Sequence, residues 1–440
     1  MPIGAVASKV APVAGAAEQR GSGGPGAVVV PENPPWHGAL QTALDQLESE
    51  LIEFRRDLHA HPEPGWAERR TTERIARRLA EAGLEPHLLH GTGLTCDIIA
   101  TNDDDDDGAS PSDAVPRFIG VRADVDALPL PDTCGRAWES QTDGWAHGCG
   151  HDVHAAAALG AALALAELAA QGWPVPPTRF IFQPAEEVTP SGAPAAMRQH
   201  VLDGVAEIVA VHCEPKLPVG LIGTRVGPIT SATDQVAVRL TGSGGHTSRP
   251  HLTGDVVFAL GEVITQVPAI LGRRLDPRSG VNLTWGQVAA GETHNAIPAV
   301  GRLAGTLRCL DAGAWERAGA ILDEAIRAVA SPFGVGVELE HVRGIPPVEN
   351  DPHVTAALEH AAVSVVGRSH VVPTEQSLGG EDFAWYLTQV PGSMARLGTG
   401  RPGAAPQDLH QGGLDIDESA IRIGAALFAT FVMDAPSLRA

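Results

Sequence analysis

Basic residues are in short supply in this 440-residue chain: 31 Lys and Arg stand against 53 Asp and Glu, for a formal charge of −22. That imbalance repels phosphate backbones and anionic headgroups, so binding to nucleic acid or to a membrane surface is not expected. An anionic small molecule remains admissible, because it needs only a local positive site. Cysteine is scarce as well. Cys96, Cys134, Cys149, Cys213 and Cys309 are odd in number and widely spread. They do not form a disulfide framework, and they suit a reducing cytoplasm. The N-terminal stretch is rich in Ala, Gly and Pro but lacks a continuous apolar segment. Pieces such as Ala27–Val30 are too brief for a signal peptide or a membrane span. Residues 1–38 read as a flexible leader, and no internal repeat is evident.

What is present suffices for a globular core. Hydrophobic residues make up 43% of the chain, and the length allows two domains of about 100–200 residues each. A first helix is expected from near Ala43, where Leu47, Leu51, Phe54 and Leu58 share one face. A second spans roughly Thr72 to Ala82, stopped by Gly83. The run Asp103–Asp107 reads as a solvated loop, since five adjacent like charges cannot pack together. Phe118–Val121, Arg179–Phe182 and Ile208–Val211 read as buried strands, and the Ala/Leu run Ala155–Ala169 as a buried helix. This alternation predicts an α/β layer with a mainly parallel sheet, in which functional groups gather at the carboxyl ends of strands. Asp126, Glu186, Glu187 and His212 each follow one of those strands.

The pattern changes near Ala232. Val236, Val238 and Leu240 alternate. Then come a helix near Asp255–Leu271, strands around Val281–Val288 and Arg302–Leu310, a helix near Ala314–Ala330 and a strand near Val335–Glu340. The order βαββαβ predicts an inserted α+β ferredoxin-like domain over 232–344. The catalytic domain is then discontinuous, 39–231 and 345–440.

Chemistry concentrates in His147-Gly148-Cys149-Gly150-His151-Asp152-Val153-His154, where thiolate and imidazole groups suit zinc and its neighbours. A polar loop with incidental histidines, or a thiol nucleophile at Cys149, remains open on this segment alone. Gln183-Pro184-Ala185-Glu186-Glu187 adds adjacent carboxylates. One can ligate while the other moves a proton, or both can sit at a solvated helix start. His212 and His410 are weak signals singly, but with the first cluster they complete a ligand set.

With these segments in hand, the chain resembles the hippurate hydrolase, auxin-conjugate hydrolase and N-acyl-amino-acid amidohydrolase branch of the aminoacylase metallopeptidases. The resemblance is carried by Arg56–Glu63, RADVDALP (Arg122–Pro129), CGHDVH (Cys149–His154), QPAEE (Gln183–Glu187) and GGHTSRPH (Gly244–His251). NAIP (Asn295–Pro298), GGEDFAWYL (Gly379–Leu387) and LGTG (Leu397–Gly400) extend it, in order, over roughly residues 45–430. It implies a zinc-peptidase-like catalytic domain and a lid or dimerisation role for the inserted domain, with hinges near Ser231 and Gly344. It also implies two divalent ions, Zn²⁺ or Mn²⁺ first and Co²⁺ or Ni²⁺ also suitable. Cys149 would be shared between them, His151 and His212 would complete one site, and Glu187 and His410 the other.

Glu186 matches the family's general base, and Asp126 an acidic residue that orients a ligand. His246 matches a histidine that reaches a partner subunit's site to stabilise the oxyanion, so a homodimer is implied. Asn295 and Arg308 match positions that grip the substrate carboxylate. The implied reaction is hydrolysis of an N-acyl amino acid to a carboxylic acid and an amino acid. A dipeptidase, carboxypeptidase or desuccinylase of the same family is the nearest alternative. A thiol amidase at Cys149 and an inactive binding homologue are more distant ones. The chain departs from the commoner pattern in the penta-Asp loop, in Cys213-Glu214, which sets another potential ligand beside His212, and in Gln411-Gly412-Gly413.

Overall fold

The computed structural model describes residues 34–99, 117–405 and 407–435; residues 1–33 of the expected leader and the Asp103–Asp107 run lie outside them. Helix α1 (Pro35–Ala60) starts well before Ala43 and takes in Pro35–Gly38, which composition alone assigns to the leader. Two physical causes extend it. Proline's fixed φ suits a first helical position. Trp36 and Leu40 also continue into the core the stripe of Leu44, Leu51 and Leu58. Helix α2 (Arg69–Glu81) ends at Ala82, and Gly83 then turns at φ 80°.

Eight strands form the large sheet. In chain-order numbering they lie side by side as β1 (Pro86–Leu88), β2 (Leu94–Ile98), β4 (Thr178–Gln183), β3 (Phe118–Asp124), β5 (Val205–Pro218), β16 (Gly392–Gly400), β6 (Ile222–Thr224) and β15 (Val371–Pro373). The sheet is mixed, which corrects the expectation of a mainly parallel one. The pairs β3–β4, β3–β5, β5–β16 and β6–β15 are parallel, whereas β1–β2, β2–β4 and β16–β6 are antiparallel. The antiparallel strands arise from tight reversals at Gly91 and Gly93 and at Gly220, all at positive φ.

Both faces of the sheet are covered, so its central strands read as continuous apolar runs. Phe180 and Phe182 face one core with α1, α3 (His151–Ala170), α7 (Pro352–Val366) and α8 (Ser419–Asp434). Ile181, on the opposite face, joins α4 (Gly192–Met197) and the 3-10 turn Asp382–Thr388. Helix α3 is buried as its all-round apolar sequence requires: every residue from His151 to Leu165 is inside.

A second sheet is wholly antiparallel, in the order β10 (Asn282–Ala290), β12 (Val300–Cys309), β8 (Ala232–Thr241), β13 (Gly336–Ile345). Val236, Val238 and Leu240 alternate into a separate core with α5 (Val256–Arg274) and α6 (Ala312–Ala330). Asp255 and Asp311 cap these helices, accepting from Phe258 N and Ala314 N. Two short ladders complete the frame. β7 (Gly227–Pro228) pairs with β14 (Glu349–Asn350) where the chain leaves for this sheet and returns. β9 (Gly245–His246) pairs with β11 (Ala296–Ile297).

Candidate metal centre and active site

Three backbone devices bring the expected ligands together. Gly150, at φ 85°, precedes α3, so Cys149 and His151 are delivered at its N-terminus. A Cβ at 150 would come 2.8 Å from Cys213 Sγ, so only glycine lets this loop lie against β5. After β4, Ala185 adopts φ 57°, a strained value for alanine, and its N–H is held at 2.7 Å by the buried Glu68 carboxylate. This turn aims Glu186 and Glu187. His410, also left-handed at φ 61°, donates its N–H to Gly148 O at 2.8 Å, which ties its loop to the Cys149 loop. His212 lies inside β5, not just past a strand end as expected. β3 pairs with β5 only as far as Arg122–Ala210, so His212 stands two residues past the last β3–β5 pair.

Hydrogen bonding sets the tautomers. His151 Nδ1 lies 3.0 Å from the Asp126 carbonyl and 3.2 Å from Asp126 Oδ1. A carbonyl only accepts, so Nδ1 carries the proton and Nε2 keeps its lone pair. His212 Nδ1 likewise donates to Cys213 O at 2.8 Å, leaving Nε2 facing Cys149 Sγ at 3.6 Å. Asp126 Oδ2 accepts the Glu187 N–H at 3.0 Å, so one carboxylate orients two expected ligands. His154 is different. It accepts from Cys213 N at 2.8 Å and donates to Asp124 Oδ1 at 2.6 Å, which uses both nitrogens internally.

The donor set fits a pair of divalent ions. The ligand atoms of Cys149, His151 and His212 lie within 4.8 Å of one another, as do those of Cys149, Glu187 and His410. Cys149 belongs to both groups. His151 Nε2 is buried with no hydrogen-bond partner among the described residues, 3.8 Å from Glu187 Oε1. A fully buried imidazole lone pair facing a thiol and a carboxylate is a deficit that a cation satisfies.

Glu186 borders this cluster in a cavity of about 460 Å³. Burial, reinforced by Glu381, Glu187, Asp382 and Asp126, pushes its carboxyl well above the usual range. Its Oε1 accepts the Asp382 N–H at 3.3 Å. Arg308 lines the same cavity, with Nη1 donating to Thr233 Oγ1 at 3.0 Å and to Leu378 O. His246 and Asn295 do not line it. They lie side by side instead: His246 pairs with Ala296 in the β9–β11 ladder, and Asn295 O accepts the Thr247 N–H at 3.2 Å. His246 is exposed, and its Nδ1 accepts from Ser248 N at 3.0 Å. Cys213 is no extra ligand: it turns away from His212 into the helix-lined core, with Sγ donating to Gly150 O at 3.7 Å.

Three groups escaped the sequence reading. Arg122, fully buried, holds Asp124 at 2.6 Å, Asp382 at 2.8 Å and Glu381 at 3.1 Å. It thereby neutralises the carboxylates that crowd Glu186. Glu381 lines the cavity and is signalled, as Glu186 is, by an adjacent carboxylate pair. Arg396, on β16, also lines it. Burial lowers its pKa below the usual arginine value despite Glu214, Glu381 and Cys149 nearby. A lone arginine in an apolar strand has no local signature.

Comparison with known proteins agrees with this geometry. The model of Peptidase family M20/M25/M40 matches residues 120–434. The chain belongs to this family. Within it, the aminoacylase-type resemblance is upheld by N-acetylcysteine deacetylase of Bacillus subtilis, 33% identical over 379 residues, which covers 86% of this chain and 95% of that one. A Rhodococcus jostii protein named as a glutamate–cysteine ligase is 47% identical over 383 residues, 86% of this chain. The M20-family chain spans only 46% of the length of that relative. A dinuclear metal-binding peptidase of the M20 family from Bacillus subtilis superposes with a TM-score of 0.75 at 30% identity, covering 88% of this chain and 98% of its own. The chain is thus an amide-cleaving hydrolase of the M20 family, with an α/β fold built on a mixed sheet.

Proposed function

We propose that this M20 enzyme hydrolyses N-acyl amino acids, releasing a carboxylic acid and the free amino acid. The observation that carries the reading is the placement of Glu186, whose carboxylate borders the cavity beside two donor groups that share Cys149. The proposed ions, Zn²⁺ or Mn²⁺ with Co²⁺ or Ni²⁺ as alternatives, would be held by Cys149, His151 and His212 on one side and by Cys149, Glu187 and His410 on the other. When bound, such ions supply Lewis acidity and make water acidic near neutral pH.

The residues of the chain do the rest. Glu186 takes a proton from the attacking water as its oxygen bonds to the acyl carbon. It holds that proton in its crowded, buried setting and delivers it to the leaving amine nitrogen as the C–N bond breaks. Asp126 keeps His151 and Glu187 in place. Arg308 and Asn295 are assigned to the substrate carboxylate, and Arg308 is supported by its position in the cavity. His246 is assigned to the oxyanion of a partner subunit's site. Its exposure on the β9–β11 ladder supports a homodimer formed through an inserted, ferredoxin-like lid spanning 232–344. Five unpaired cysteines support a cytoplasmic setting.

A panel of N-acyl amino acids and dipeptides, run metal-loaded and after chelation, tests this reading. Metal-dependent cleavage of the N-acyl amino acids is expected. Turnover that survives chelation but not thiol alkylation would replace it with thiol chemistry at Cys149, and a preference for dipeptides would make the enzyme a peptidase.

A further inference from the structure

Two guanidinium groups line the cavity beside the ligand cluster, those of Arg308 and Arg396. Arg308 is anchored by Thr233 and Leu378. Arg396 has no comparable anchor. It is 5% exposed, and among the described residues no carboxylate stands within 4.0 Å of its guanidinium and no hydrogen bond engages its side chain. Strand register accounts for its direction. Arg396 is the parallel partner of His212, so both side chains leave the same face of the sheet, while Ala395 and Leu397 turn into the helix-lined core. Gly223 on the neighbouring strand leaves room for its stem; a Cβ there would stand 3.2 Å from Arg396 Cβ.

The two carboxylates whose charge reaches Arg396 are Glu214 and Glu381. Each is committed elsewhere. Glu381 Oε1 pairs with Arg122 at 3.1 Å and accepts Phe383 N at 2.9 Å; Glu214 Oε1 accepts Lys216 N at 3.2 Å. Burying a charge without a partner is unfavourable unless a ligand supplies the counter-charge. A guanidinium on a cavity wall matches a carboxylate in charge and in fork geometry.

We propose that Arg396 is a second anion subsite, so that the preferred substrate is an N-acyl amino acid bearing a carboxylate beyond the α-carboxylate assigned to Arg308. This rests on the amidohydrolase reading above. The added carboxylate belongs either to the amino-acid side chain or to a dicarboxylic acyl group. The same guanidinium serves both.

The test compares kcat/KM for N-acetylglutamate, N-succinyl-leucine and N-acetyl-leucine in the metal-loaded enzyme and in Arg396→Met. One dicarboxylate should outrun N-acetyl-leucine, and Arg396→Met should cut that preference roughly 10- to 100-fold, with Arg396→Lys recovering part of it. The winning substrate assigns the anion to the amine or the acyl half. Calorimetric binding of glutamate and succinate to chelator-treated protein gives a readout without turnover, and Arg396→Met should weaken the matching product by a similar factor. Two results overturn the subsite while leaving the amidohydrolase intact. One is a wild-type enzyme that prefers N-acetyl-leucine to both dicarboxylates. The other is an unchanged preference in an Arg396→Met protein with wild-type metal content and Tm. Should Arg396→Met not fold, the wild-type preference and wild-type calorimetry decide. If no N-acyl amino acid is cleaved at all, the broader reading fails, and the calorimetry still reports on the subsite.

Discussion

His151 and His246 both follow glycine-containing turns, Gly148-Cys149-Gly150 and Gly244-Gly245, yet the chain treats them oppositely. His151 is buried, its Nδ1 is pinned by Asp126, and its Nε2 faces Cys149 and Glu187. His246 is exposed, and its ring meets Ser248 while its backbone pairs with Ala296. The large-sheet region therefore assembles its functional groups from its own strand ends. Of the groups expected from residues 232–344, Arg308 reaches the cavity beside the ligand cluster, whereas His246 and Asn295 stay exposed outside it. The difference reflects what each task needs. A ligand cluster gains from donors held in place before an ion enters, and burial of most of them strengthens its electrostatics. A group meant for another surface must stay at the rim.

Metal removal should have the largest effect on this contrast. Chelation is expected to abolish turnover, and divalent ions to restore it. Because Cys149 belongs to both donor groups, Cys149→Ser should deplete both sites in a metal assay, whereas His410→Ala should deplete one. Equal losses would mean the groups are not shared as drawn. Next comes Glu186→Gln, expected to cut kcat roughly 10²- to 10⁴-fold with bound metal unchanged. Substantial retained activity would remove Glu186 from the proton path.

His246→Ala should lower kcat by roughly 10²- to 10³-fold, again at full metal content. Mixing it with Glu186→Gln should restore part of the activity if sites are completed across subunits. No restoration would return His246 to a role within its own chain.

A pH effect follows from His59, a buried histidine of the large-sheet region outside the ligand cluster. His59 Nδ1 sits 2.8 Å from Asp152, and its Nε2 3.2 Å from Asp132. Burial and Arg55 oppose its charge, but these carboxylates outweigh them and raise it to about 10. A group raised in the folded state stabilises fully below its unfolded value near 6.5, and that contribution fades as pH climbs through about 10. The denaturation midpoint should therefore drop between pH 7 and pH 10. His59→Gln should be about 3–5 kcal/mol less stable at pH 7 and show a flatter profile. A wild-type midpoint indifferent to this range would mean His59 is neutral in the fold.

The smallest effect belongs to the second sheet. Asp255→Ala removes the cap that accepts Phe258 N and should cost about 1 kcal/mol. Hydrogen exchange should show the loss concentrated in α5, with metal binding unaltered.

How far the sequence alone could lead depended on the kind of signal. Phe180–Phe182 and Val209–Val211 were legible because strands covered on both faces must be apolar throughout. β1, β6 and β15 were not, since three-residue strands take their direction from neighbours and from reversals such as Gly220. Helix α1 reached Pro35 because Trp36 finds a core that no local pattern announces. The Cys149–His154 cluster and Glu186-Glu187 stood out by density of donors. Arg122 and Arg396 did not, because an arginine in an apolar strand acquires meaning only from what the sheet sets beside it.

By itself, then, the sequence determined the ligand types, the carboxylate pair and the alternation of buried strands with helices, all written in local composition and period. Tertiary structure alone decided which nitrogen of His151 and of His212 is left free, that Cys213 turns inward, and that Arg396 shares a wall with His212. Those outcomes depend on register between strands far apart in the chain and on burial, which removes water and leaves each polar atom only the partners the fold supplies.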